Sequence, residues 1–340
     1  VQTCALPISE HLMQNSSNKP GWTYPICEVS DMARLECLRN AYGMALLEAA
    51  KKNPRIVALD ADLSGSTMSR YIKNNLPDRF FEMGIAEQNM VSVAAGLSLT
   101  GKIPFAHSFS VFIVGRAYDQ IRQSIAVPKL NVKLVGSSYG FSDSADGATH
   151  QAIEDVAIMR AVPNMTVIVP VDAVEVRQAV KAIIEYEGPV YLRISRSEMP
   201  VLTNEEDEFV IGKPRLISEG KDIAVYANGL MVSMALKAKE MLEKKNVSIR
   251  VINVSSLKPL DAEAVRQLAR GVKGIVTAEE HSLIGGLGCA ISDIIGDSIP
   301  IRKVGIADRF GQSAPSHEDL LEHYGLTPEA IVEKVQELLS

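Results

Sequence analysis

The chain reads as an α/β protein built from two open α/β domains with mostly parallel sheets. Three observations predict this. Short apolar segments without polar alternation, such as IVAL at 56–59 and IAVYA at 223–227, suit strands buried on both faces. Between them lie stretches with apolar residues at helical spacing, and several strands end in loops rich in Gly, Ser and Asp. At 340 residues there is material for two cores of roughly 150 residues each.

Residues 1–31 stand apart. They lack periodicity, hold the single Trp together with Cys4 and Cys27, and have neither an Arg-rich targeting pattern nor a long apolar core. The stretch reads as a disordered or non-native leader, with Met32 as the start. From there Leu38, Ala41, Tyr42, Ala45, Leu46 and Ala49 recur at helical spacing until Asn53-Pro54, and a strand at 56–59 runs into the polar sequence DADLSGST. Further units follow: a strand at 103–105 with a helix over 115–126, a strand at 132–135 with a long loop, a strand at 167–169 with a helix over 173–185, and a strand at 190–194.

This first domain is expected over 32–198. A linker is expected over 199–219, where Pro200 and Pro214 interrupt and 203–208 is acidic and polar. A second domain is expected over 220–340, with strands at 223–227, 249–254, 274–278 and 301–305 and helices at 231–244, 261–269, 288–295 and 318–324. The last helix should start with Thr327 as N-cap and Pro328 in its first turn.

A formal net charge of −6 without a Lys/Arg block argues against nucleic acid or an anionic membrane as partner. No apolar run approaches the roughly 18–20 residues a membrane span needs. Cys4, Cys27, Cys37 and Cys289 lie far apart with no CxxC, so neither a zinc site nor a disulfide framework is suggested. A reducing cytoplasm fits that usage.

The chemistry centres on FFEMGIAEQNMVSVAAGLSL at 80–99. Glu87 is the only carboxylate between Glu82 and Asp119, and the residues after it leave little polar surface. A carboxyl group held there loses hydration, so its pKa rises unless it meets a partner. Such an acid can share a proton with a ring nitrogen of a bound heterocycle. It can equally be a first-turn acid that offsets the helix dipole.

Other loops offer candidates with a plain reading beside each. Residues 136–151, GSSYGFSDSADGATHQ, form a long polar loop bearing Asp143, Asp146 and His150, either functional or an ordinary surface loop. Phe109 and Phe112 can wall a flat ring or belong to the core. Arg196, directly after the strand at 190–194, can bind a phosphate or carboxylate bidentately or close an ion pair.

Five segments, DADLSGS, FEMGIAEQNM, GRAYDQIR, DGATHQAIED and ISRSEMP, occur in the order and approximate spacing found in the transketolase family. From about Arg34 onward the chain resembles the pyrimidine-binding and C-terminal domains of a transketolase, close to the split form whose halves are separate polypeptides. The resemblance implies transfer of a two-carbon ketol unit from a ketose phosphate to an aldose phosphate, with thiamine diphosphate and Mg²⁺, in the setting of pentose phosphate and carbohydrate metabolism. Glu87 matches the Glu that bonds N1′ of the cofactor and drives its aminopyrimidine to the imino form. Phe109 and Phe112 match the pocket for that ring, although one extra residue precedes GRAYDQ. Asp62 matches an Asp near the cofactor and the subunit contact. Arg39, Ser66 and Arg196 match phosphate ligands, and Asp146 and His150 match residues that contact the ketose hydroxyls, His150 also assisting proton transfer.

Two departures stand out. Ser138 occupies the position of a phosphate-binding His, so acceptor preference is expected to differ. No GDG motif with its following Asn-rich turn is found, so no metal ligands are assigned to this chain. The resemblance then implies a partner, an N-terminal transketolase subunit with the GDG motif, in an α2β2 heterotetramer. Alternatives are the β half of a 2-oxoacid dehydrogenase, a deoxyxylulose-phosphate synthase, or a non-catalytic regulatory subunit that keeps the fold. In the second domain, EEHSLIGGLGCA resembles a turn of the family, but GGLG lacks the GxGxxG spacing and nucleotide binding is rejected there. Glu279, Glu280 and His281 read as an interface rim or a solvated turn.

Overall fold

The computed structural model describes residues 34–340; the leader expected over 1–31 and the start expected at Met32 lie outside the described residues. The first part of the chain supplies strands β1 (Leu35–Cys37), β2 (Ile56–Asp60), β3 (Phe80–Glu82), β4 (Ile103–Phe109), β5 (Lys133–Ser137), β6 (Thr166–Ile168), β7 (Val190–Ile194) and β8 (Glu198–Pro200). The second supplies β9 (Arg215–Ser218), β10 (Ile223–Ala227), β11 (Ile249–Asn253), β12 (Ser256–Lys258), β13 (Gly274–Ser282) and β14 (Ile301–Ile306). They form two main sheets, ordered β12-β6-β7-β5-β4-β2-β3 and β14-β13-β10-β11-β9. Pairing within them is parallel except where β12 and β9 add antiparallel edges.

Strand β2 explains the layering. Ile56 and Ala58 face one buried apolar layer while Val57 and Leu59 face another, because successive side chains leave a strand on opposite sides. Both layers run on into the second sheet, through Val225 and Ala227 on one side and Ala224 and Tyr226 on the other. The two sheets therefore share their cores.

Two features join the parts further. Strand β12 leaves the second sheet and pairs with β6, covering that edge of the first. The stretch expected as a linker, 199–219, is docked and carries the ends of β8 and β9: Val201 and Leu202 are buried, and the Leu202 and Thr203 amides donate to Asp172 Oδ2 at 2.6 and 2.7 Å.

Several elements differ from the sequence expectation. Strand β4 runs to Phe109, and the helix expected over 115–126 is a helix at Ser110–Arg116, a short turn at Tyr118–Gln120 and a π-helical turn at Ile121–Ala126. Ala117, at φ −100° and ψ 16°, breaks the run. Strand β13 extends through Glu279, Glu280 and His281, which are 1, 2 and 0 % exposed. Neither a rim nor a solvated turn describes them: Glu279 accepts the amides of Leu287 and Gly288 at 2.6 and 2.8 Å and caps the helix Leu287–Ile295. Sequence polarity suggested the surface, whereas paired charges are buried here. Thr327 caps the last helix as expected, accepting from the Ala330 amide at 3.3 Å.

Candidate active site

The site gathers at the carboxyl ends of β2, β4, β5 and β7, where an open α/β sheet leaves its crevice. After β3 the chain turns through Gly84, at φ +68°, and Ala86, then enters the helix Glu87–Leu99. Met90, Val91, Ala94 and Ala95 bury one face of that helix, which packs on β4. Glu87 opens it and is 2 % exposed, so it is both a first-turn acid and a buried one. It meets partners: Ser108 on β4 donates its hydroxyl to Oε1 at 2.9 Å, and the Arg116 guanidinium lies 3.2 Å from Oε2.

Phe109 and Phe112 flank the junction of β4 with the helix Ser110–Arg116. Their rings stack with centroids 6.0 Å apart and 22° between planes. His150 presents its edge to both, at 6.2 and 5.1 Å, and Arg116 sits 4.2 Å over the Phe112 ring. A cavity of about 430 Å³ is lined by Glu87, Phe109, Phe112, Arg116 and His150, with Asp62, Ile85 and Thr149 among its remaining walls. A buried carboxylate beside an aromatic wall suits a flat, partly apolar ring with a basic nitrogen. The residues present therefore fit the aminopyrimidine end of thiamine diphosphate.

The remaining candidates divide. Asp62 is exposed with φ +62°, its amide bonded to Glu82 Oε1 at 2.9 Å. Beneath it Asp60 is buried and accepts from Leu63 N, Thr67 Oγ1 and Ser69 Oγ at 2.5, 2.7 and 2.8 Å. Burial pushes that carboxyl up to about 6, against the three hydrogen bonds, with a further push from the charge of Glu82. Arg39 donates to the Ser66 carbonyl at 2.9 Å, while its buried Nε has no hydrogen-bond partner among the described residues. Burial lowers the Arg39 pKa, aided by the charge of Arg196 and opposed by Cys37 and Asp143. Arg196 closes an ion pair with Asp143 at 2.9 Å. Burial raises the Asp143 pKa, Arg196 opposes this, and Asp146 adds to it. Arg39, Arg196, Asp143 and Asp146 thus form one electrostatic cluster, with Asp146 exposed. Ser138 is fully buried at φ +56° after β5, and its hydroxyl has no hydrogen-bond partner among the described residues.

Arg116, inside the GRAYDQIR segment, and Ser108 carry no role in the sequence reading, and Asp143 is there only as one candidate of the polar loop. Arg116 lies 29 positions from Glu87 and Ser108 lies 21. The packing of the helix Glu87–Leu99 on β4 and on the helix Ser110–Arg116 that follows it brings them together. Among the described residues no group of three or more His, Cys, Asp or Glu side chains is placed to hold a metal ion. No helix among them is long and apolar enough to cross a membrane.

Residues 37–201 match the transketolase pyrimidine-binding domain, and residues 212–331 match the transketolase C-terminal domain. The chain is 44% identical over 303 residues to the 6-deoxy-6-sulfo-D-fructose transketolase subunit SqwH of Clostridium sp. strain MSTE9, covering 88% of this chain and 94% of that one. It is 38% identical to a subunit of the apulose-4-phosphate transketolase of Phocaeicola vulgatus, covering 88% of this chain and 97% of that one. A solved structure described as a split gene transketolase, inactive beta4 tetramer, superposes with a TM-score of 0.81 at 48% identity, covering 89% of this chain and 97% of that chain. On both domain matches and on near full-length likeness to these subunits, the chain belongs to the transketolase family.

Proposed function

We propose that this chain is the catalytic C-terminal subunit of a split transketolase, moving a two-carbon ketol unit from a ketose phosphate to an aldose phosphate. The observation that carries the reading is Glu87, buried at a helix start and turned into a cavity walled by the Phe109–Phe112 stack. When bound, thiamine diphosphate supplies a thiazolium carbon nucleophile that the protein's own side chains lack.

Glu87 would hold and exchange a proton at N1′ of the pyrimidine, its direction fixed by Ser108 and Arg116. Phe109 and Phe112 would wall the ring and keep water from it. His150, edge-on to those rings, would meet the ketose hydroxyls with Asp146 and move a proton there. Arg39, Ser66 and Arg196 would take the sugar phosphate, Arg196 exchanging part of its bond to Asp143 for the anion. Asp62 would stand near the cofactor at the subunit contact. Ser138, in place of the family His, brings no cation for a dianion and keeps its own hydroxyl buried, so the acceptor would differ from that of a typical transketolase.

The diphosphate and Mg²⁺ would be held by a separate N-terminal transketolase subunit carrying the GDG motif, in an α2β2 heterotetramer working in the cytoplasm. Two observations support a separate partner chain: two relatives of matching length are named as subunits, and the cavity opens beside Ile85, which is 75 % exposed. The reading is tested by reconstituting the pair with thiamine diphosphate and Mg²⁺ and comparing wild type with Glu87→Ala. Turnover should fall by about 10²–10⁴-fold while the fold is retained. Unchanged turnover would make this chain a scaffold for a site elsewhere.

A further inference from the structure

We propose that the second α/β unit is the positioning element for the loop at 138–151, and that it acts through Glu280 and His317. The proposal rests on the assignment of Asp146 and His150 in that loop to the substrate. Apart from the bridge between Tyr139 and Ala152, the loop has no regular structure. Ordering such a polar stretch costs about 1–2 kcal/mol per residue, so something must offset it.

The second unit fastens the loop along its length. Glu280 Oε1 accepts the Phe141 amide at 2.6 Å, the Ala314 amide donates to the Ser144 carbonyl at 2.9 Å, and Gln151 Nε2 donates to the Gln312 carbonyl at 3.0 Å. The Phe141 ring rests 4.4 Å from that of Tyr324. Approach is close enough that a Cβ on Gly140, at φ +57°, would collide with the Glu280 carboxylate. Asp146 and His150 lie in the span between the fastenings at Ser144 and Gln151.

One line of contacts reaches further. The same Glu280 oxygen lies 2.9 Å from His317 Nε2, and His317 Nδ1 lies 2.8 Å from Ser197 Oγ. Ser197 adjoins Arg196, which grips Asp143 of the loop at 2.9 Å. The anion-binding arginine and the loop are thus held from one buried pair, Glu280 at 2 % and His317 at 7 % exposure. Neither residue lines the cavity beside Glu87, so both act through others.

The test uses hydrogen exchange on this chain and kinetics on the reconstituted enzyme. In Glu280→Ala and His317→Ala, amides at 141–151 should exchange at least about tenfold faster while those of β4 and β7 keep their protection. His317→Gln, whose amide can span Glu280 and Ser197, should restore it. With the partner present, KM for the donor sugar should rise about tenfold or more at unchanged affinity for thiamine diphosphate. Should the polar variants not fold, Tyr324→Leu should loosen the loop alone. A loop equally protected in a folded variant, a loosened loop with unchanged KM, or protection lost evenly from both sheets overturns the proposal. Absence of ketol transfer in the wild type, beside a loop that responds as described, would instead fail the functional reading.

Discussion

Two acids a short distance apart in sequence show how differently burial can be resolved. Glu87 keeps a half-exposed arginine beside it and faces a cavity, whereas Asp60 is enclosed and satisfied by Leu63, Thr67 and Ser69. Asp60 serves geometry, since its hydrogen bonds shape the turn that presents Asp62 and Ser66. Its carboxyl is raised from 3.8 to about 6, so the native state binds a proton more tightly than the unfolded chain. The sign follows: this group's contribution is greatest at low pH and is lost between about pH 4 and pH 6, by roughly 1–3 kcal/mol. Thermal unfolding of wild type and Asp60→Asn across that window should differ, with the Asn variant showing the flatter dependence. Identical slopes would refute the assignment. Glu87 was legible in sequence because a lone acid in an apolar stretch violates the local pattern. Its partners were not, because Ser108 and Arg116 reach it through the packing of a helix on β4, which no periodicity encodes.

Among the elements, those with a mostly apolar run or a regular helical spacing of apolar residues were the readable ones. Strands β7 and β10 and the helix Ala173–Glu185 fall where the residue pattern puts them. That helix carries a testable cap. Asp172, fully buried, accepts from the Glu175 amide at 2.7 Å, as an N-cap should, and also from the Leu202 and Thr203 amides and the Thr203 hydroxyl. Asp172→Ala should therefore cost about 2–4 kcal/mol, beyond the ~1 kcal/mol of an ordinary cap, since buried amides of the docked 199–219 stretch lose their acceptor. Denaturant unfolding measures it; a loss near ~1 kcal/mol would mean that the stretch is held by its apolar contacts instead. Charge misleads elsewhere. Glu279, Glu280 and His281 look foreign to a strand because charged residues seldom lie in a buried one, yet each finds a partner inside. The break at Ala117 is hidden for the opposite reason: its neighbours suit a continuous helix, and tertiary packing overrides them.

At the scale of the whole molecule, shared cores and the crossing of β12 make the two units one support for the proposed site, of which this chain would furnish only a part. For the pyrimidine end this chain would offer one buried acid and two aromatic faces. A charge-assisted hydrogen bond contributes about 1.5–3 kcal/mol and an aromatic contact about 0.5–1.5 kcal/mol. One such bond and two such contacts give roughly 2.5–6 kcal/mol, against an association cost of at least about 4 kcal/mol. Dissociation on the millimolar scale or weaker is then expected for the isolated chain. Titration calorimetry of the purified chain with thiamine diphosphate and Mg²⁺ should accordingly give no saturable heat at micromolar concentrations. Adding the GDG-bearing subunit should produce saturable uptake of one cofactor per chain. Glu87→Ala should weaken that uptake far less than it lowers turnover, because the diphosphate and its metal would carry most of the binding. Tight uptake by this chain alone would mean that the charged end of the cofactor has a home among its own residues, and the division of labour between two polypeptides would have to be abandoned.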